Sequence, residues 1–90
     1  MKYRSRTEIF ATILSSAPGE HGILPIRLMY TAFLSYDQSK EYFDVLLKNG
    51  LLKHDVGTKE YRTTEKGLEY LKLYKEMRTL INIQPDEEGG

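Results

Sequence analysis

Cysteine is absent from this chain. Disulfide frameworks, thiolate metal sites and thiol nucleophiles are excluded with it. An excess of charge of one sign is missing too. Lys and Arg number 13 and Asp and Glu 13, a net charge of zero at pH 7. That falls well short of the strongly basic signature of a typical nucleic-acid binder. No apolar run approaches the length of a membrane span, so no membrane partner is expected. The opening MKYRSRTEIF is charged and has no apolar stretch of the signal-peptide kind. There is no Gly-rich phosphate loop of the Walker or dinucleotide type. His21 and His54 are the only histidines, far apart and without Cys partners, so no metal site is expected. No nucleophile–base–orienter arrangement is visible. The chain therefore reads as a non-enzyme, with no catalytic residue, no cofactor and no evident small-molecule ligand.

What is present fits one small globular domain. The chain has 90 residues, 40% hydrophobic and 29% charged. The neutral total hides an asymmetry. Asp86, Glu87 and Glu88 close the chain beside Gly89 and Gly90, and residues 84–90 read as a disordered acidic tail. Without those three acids the body carries 13 basic against 10 acidic side chains, a mild positive balance.

Cap signals divide the rest. Ser5 and Glu8 stand in S-x-x-E spacing, followed by Ile9, Phe10, Ile13 and Leu14 at helical intervals. Ser15, Ser16, Pro18 and Gly19 end that helix, and APGEHG is a loop. A second helix should begin at Pro25, a residue suited to the first helical position. It should turn Ile26, Met29 and Tyr30 inward with Arg27 outside, and end near Ala32 or Phe33. Leu34 should plug the core at the turn. A third helix starts at Ser35, with Gln38 completing a second capping box. Phe43, Leu46 and Leu47 form its buried stripe, Tyr42 lies at its margin, and Asn49-Gly50 is a left-handed stop. Ser39 sits at the stripe's edge, where a larger apolar residue would be ordinary.

Leu51 to Lys53 and Tyr61 to Thr63 then read as paired strands around DVGTKE, with Gly57 free to take positive φ. Such short strands need helices as backing. Thr64 caps the last helix, with Glu65 in its first turn, and the helix runs to about Ile83 before Pro85. Leu68 and Leu71 are placed to serve the core. Tyr70, Leu73, Met77 and Leu80 follow 3-4-3 spacing, with Tyr74 and Ile81 alongside, enough for one helix–helix dimer seam. The expected class is mainly α with a small β element: a winged helix-turn-helix. Residues 1–63 form the domain, with the helix-turn-helix at about 25–49 and the wing at about 51–63, and residues 64–83 form a dimerisation helix. An all-helical bundle is the main alternative, weakened by the lack of helical periodicity from Asp55 to Thr63.

The run LSYDQSKEYFDVLLKNGLL, the wing and YRTTEKGLEYL together resemble small dimeric archaeal winged-helix DNA-binding proteins of the chromatin-associated type. The resemblance spans roughly Ser5 to Ile81. It implies a homodimer joined by an antiparallel coiled coil of last helices, with duplex DNA as partner and no cofactor. It carries over Ser35, Tyr36, Gln38 and Lys40 as recognition-helix positions, and Lys59 and Arg62 as wing positions. Glu41 departs from the pattern, where a basic or neutral residue is expected.

The side chains themselves suit those roles unevenly. A helix start offers free amides to a phosphate. Ser35 and Gln38 add uncharged donors, Tyr36 a phenol, and Lys40 a charge one turn on. The same pattern also describes an ordinary solvated, capped helix. Lys59 near the wing tip and Arg62 are candidates for phosphate contact, although alternating charge on a hairpin is commonly just solubility. Arg4 and Arg6, with Lys2, form the densest basic cluster and a possible arm along phosphates. The functional expectation is a homodimeric duplex-DNA-binding protein, cytoplasmic and nucleoid-associated, regulating transcription or shaping chromatin. Its rival is a docking module for other proteins, which neutral charge and an acidic third helix also fit.

Overall fold

The computed structural model describes residues 4–17 and 20–81. The expected end of the last helix beyond Ile81 and the acidic tail lie outside them, as do Lys2, Pro18 and Gly19. The elements are α1 (Arg6–Ser16), α2 (Pro25–Thr31), α3 (Tyr36–Lys48), β1 (Leu52–His54), β2 (Tyr61–Thr63) and α4 (Glu65–Ile81). This is a winged helix: mainly α, with a small antiparallel wing in which Leu52 faces Thr63, Lys53 faces Arg62 and His54 faces Tyr61. A third extended piece joins at Ile23, whose backbone exchanges two hydrogen bonds with Tyr61 of 3.0 and 2.8 Å.

One core draws on every layer. Ile13 and Leu14 of α1, Leu28 of α2, Leu46 of α3 and Leu52 of β1 are fully buried. Each such side chain stabilises the fold by about 1.5–3 kcal/mol. Phe43 closes the core from α3, and its ring meets that of Tyr61 edge-on at 5.3 Å. Leu34 is buried as expected.

Four sequence expectations change. In α2, Leu28, Met29 and Ala32 face inward, while Ile26 is 51% and Tyr30 68% exposed. A seven-residue helix this rich in apolar residues carries overlapping stripes, and periodicity alone does not choose between them. In the wing, Lys59 rather than Gly57 takes positive φ, at 64°. The Asp55 carboxylate accepts from the amides of Gly57 and Thr58 at 2.9 and 3.2 Å. This side-chain-capped turn moves the left-handed step on to Lys59, whose amide reaches the Asp55 carbonyl at 2.6 Å. Strand β1 begins one residue later than expected, at Leu52. In α4, Leu68 is half exposed; Tyr70 and Leu71 pack against the core instead. The Tyr70 hydroxyl donates to the Thr7 carbonyl at 3.1 Å, tying α4 to α1.

The junction between wing and α4 explains the TEKG sequence. Thr64 caps the amide of Gly67 at 3.1 Å while donating to the Gly50 carbonyl at 2.6 Å. Lys66 reaches the Asn49 carbonyl at 2.8 Å, so carbonyls left over at the end of α3 are satisfied from α4. Gly50 takes φ +74°, the left-handed stop expected there. At Gly67 a Cβ would run into the Leu51 carbonyl and lie 2.6 Å from the Thr63 methyl, so only glycine permits this approach. Thr63, buried, donates its hydroxyl to the Leu14 carbonyl at 2.7 Å and its amide to Ala17 at 2.9 Å, closing the end of α1.

Candidate nucleic-acid interface

The N-terminus of α3 is built by its own sequence. Ser35 accepts the Gln38 amide at 3.1 Å, and the Gln38 carbonyl oxygen accepts the Ser35 amide at 2.9 Å. This reciprocal box fixes the entry angle of the helix. It leaves the first-turn amides of Tyr36 and Asp37 without intrahelical partners, the position where helices take up anions. The Gln38 NH2 remains a donor, since only its oxygen enters the box. Tyr36 is exposed, and the Lys40 ammonium lies 5.4 Å from the centre of its ring. Ser39 is buried and donates to the Tyr36 carbonyl at 2.7 Å, which accounts for a small polar residue on that stripe.

The acids of α3 are balanced from nearby. Arg6 pairs with Glu41 at 3.2 Å, and its guanidinium lies over the Tyr42 ring at 5.9 Å. Lys48 pairs with Asp44 at 3.2 Å one turn along the helix. Both pairs are largely solvent-exposed and worth about 0–1 kcal/mol to stability. Their effect on local charge matters more: two of the three carboxylates on this helix are neutralised. Glu41, the position that departs from the recognition-helix pattern, has its counterion on α1. At the turn before the helix, Arg4 donates to the Phe33 carbonyl at 3.1 Å. Arg4 and Arg6 thus lie against the helix-turn-helix, and Ser35, Tyr36, Gln38, Lys40 and these two arginines meet at one end of α3.

On the wing, Lys59 is exposed, whereas Arg62 is half-buried and donates to the Glu20 carbonyl at 3.0 Å. The Asp55 carboxyl is held below its ordinary value, chiefly by the Thr58 and Gly57 amides. Burial raises the Tyr61 hydroxyl pKa. A groove of about 800 Å³ between α2 and α3 has Ile26, Met29, Tyr36, Phe43 and Tyr61 among its walls. Among the described residues, no three or more His, Asp or Glu converge on a metal-sized point. No helix among them is long and apolar enough to cross a membrane.

On α4, Leu73, Met77, Leu80 and Ile81 are exposed and Tyr74 half-exposed. Tyr70, expected on this seam, packs against its own domain, and burial, with Tyr74 adding a smaller effect, raises its pKa. The sequence marks Phe33 only as one of two places, with Ala32, where the second helix could end. It is 81% exposed at φ 59°. The available signal was a bulky residue where a turn into a capped helix would ordinarily carry Gly or Asn.

The chain belongs to the winged helix-turn-helix family, whose profile matches residues 3–82. This is a DNA-binding family, not one of enzymes. Among solved structures, it is similar to Sso10a-2, a DNA-binding protein from Sulfolobus solfataricus. The two share 27% identity and a TM-score of 0.73 over 88% of this chain and 83% of that one. The multiple antibiotic-resistance repressor MarR of Listeria monocytogenes 4b F2365 shares the fold at 18% identity. Its TM-score is 0.57, over 93% of this chain and 62% of that one. No curated protein sequence matches.

Proposed function

We propose that this protein is a homodimer that binds double-stranded DNA and acts as a transcriptional regulator or an architectural chromatin protein. The observation that carries the reading is the pairing of Glu41 with Arg6 beside the capped start of α3. It offsets one of the three carboxylates that oppose this helix approaching a polyanion, as Lys48 offsets a second at Asp44. The amide-rich end of α3 enters the major groove, with Ser35, Tyr36, Gln38 and Lys40 at the front and Arg4 and Arg6 behind. Lys59 at the wing, supported by Arg62, contacts the adjacent backbone. The likeness to Sso10a-2, a DNA-binding protein, supports the same partner.

Dimerisation runs through the distal half of α4, in residues 64–83. Leu73, Met77, Leu80 and Ile81 would be an unusual apolar patch on a lone domain, and a two-fold partner covers it with the same residues. Tyr74 flanks this antiparallel coiled coil. With α4 spanning about 25 Å from Glu65 to Ile81, the pair sets the spacing of the two reading ends. The protein acts in the cytoplasm, on the nucleoid.

A docking role for other proteins is the second reading, favoured by Ile26, exposed on the wall of the α2–α3 groove, and by exposed Tyr30 on the same helix. Titration of a labelled duplex over a salt series separates the two. Affinity that falls steeply with salt marks phosphate neutralisation, and no binding at low salt leaves the docking reading. Sedimentation of Leu73→Glu with Met77→Glu tests the seam: monomers are expected, and persisting dimers refute it.

A further inference from the structure

Phe33 is costly to the fold at two levels. It is a bulky residue in the left-handed region, at φ 59°, and its ring is 81% exposed. Nothing in the core calls for it, because the next residue, Leu34, is the one that turns in and is buried. Gly or Asn would make the same turn with less strain. The turn is nonetheless firmly held. The Phe33 amide donates to the Tyr30 carbonyl at 3.1 Å, and its carbonyl accepts from Arg4 at 3.1 Å. A strained, exposed and well-fixed aromatic two residues before the Ser35 cap stands at the leading end of α3.

We infer that the Phe33 ring is a base-reading element that covers the 5-methyl group of thymine in the major groove. This rests on the DNA-binding reading above. In the major groove only thymine, among the unmodified bases, presents a methyl group, and phenylalanine is one of the side chains that contact it. A helix that enters by its N-terminal end brings the preceding turn to the groove with it. The polar groups of the capping box are partly spent on each other, so an apolar contact adds discrimination beyond what the remaining Gln38 NH2 donor supplies.

The test compares the full chain with Phe33→Asn on two duplexes of one A·T-rich sequence, carrying thymine or deoxyuridine, at one salt concentration. Wild type is expected to prefer the thymine duplex by about fourfold for one covered methyl, the ratio that burying a methyl corresponds to. Phe33→Asn should bind both alike and melt no lower than wild type, since Asn tolerates the left-handed backbone. Phe33→Gly repeats the comparison with a second residue the turn accepts. A third duplex with 5-methylcytosine in place of cytosine should regain affinity for wild type only. Equal binding of thymine and deoxyuridine duplexes by wild type overturns the inference and leaves duplex binding intact. So does a preference that survives in both variants, or a shift in sedimentation of Phe33→Asn, which would assign the ring to a second copy of the chain. Failure of wild type to bind any duplex instead removes the DNA-binding reading itself.

Discussion

Replacing Glu41 with Gln removes one carboxylate from the front of α3 and releases the Arg6 guanidinium now held at 3.2 Å. Both changes favour a phosphate, and neither removes a buried contact, since the two side chains are 65% and 57% exposed. Folding stability should therefore move by no more than about 1 kcal/mol. Affinity for DNA should rise. If freed Arg6 neutralises one more phosphate, the slope of log K against log salt steepens by about 0.9. Between about 50 and about 200 mM salt that slope corresponds to a factor of about 3.5. The advantage of Glu41→Gln over wild type should thus be about 3.5 times larger at the low end than at the high end. Fluorescence anisotropy of a labelled duplex across the salt series reads this directly. Arg6→Gln provides the coupling control: with Arg6 gone, Glu41→Gln retains only the benefit of losing a negative charge. A salt slope in Glu41→Gln identical to wild type, or an effect of Glu41→Gln that is the same with and without Arg6, refutes the account of Arg6 as a masked phosphate ligand.

Other perturbations test separate parts of the structure. Lys59→Glu with Arg62→Glu should weaken duplex binding while circular dichroism stays native. Lys59→Glu alone is the cleaner probe because Arg62 also holds the Glu20 carbonyl, and unchanged affinity in it removes the wing tip from the interface. Gly67→Ala gains about 1 kcal/mol of helix propensity but drives a methyl into the Leu51 carbonyl. The net expectation is a loss of about 1–2 kcal/mol, and a melting temperature at or above wild type refutes the close-approach argument. The Asp55 carboxyl titrates below its ordinary value of 3.8 because the folded turn favours its charged form. Its contribution is present above the unfolded value and is lost as pH falls through the lower folded one. Melting curves of wild type and Asp55→Ala should therefore differ at neutral pH and converge below about pH 4. A gap that stays constant into acid would exclude the carboxylate as its source.

Local signals in the chain were informative where one segment decides its own conformation. Ser35 with Gln38, Asn49 with Gly50, Pro25 and Thr64 each act within a few residues, and each takes up its expected place. Ser5 makes only the hydroxyl half of its box among the described bonds. What was not legible depends on choices between distant partners. The inward face of α2, the exchange of Leu68 for Tyr70 and the bridge at Ile23 are decided by where α1, α4 and β2 lie. The pairing of Arg6 with Glu41 joins residues 35 apart, and that of Arg4 with Phe33 joins residues 29 apart. No spacing rule reaches that far. The candidate DNA-contacting residues were legible as chemistry, but the way two of them restrain the turn before α3 and an acid on that helix was not.

The bonds from Thr64 and Lys66 to the end of α3 have a mechanical meaning. They fasten the start of the terminal rod to the chain just past the end of α3, at a joint backed by Gly67 against Leu51. A pull on the far end of the rod is therefore carried into the junction of α3 with the wing, and into α1 through the Tyr70–Thr7 bond, with no loose linker between. In a pair of molecules joined rod to rod, load on one duplex would be passed to the grip on the other.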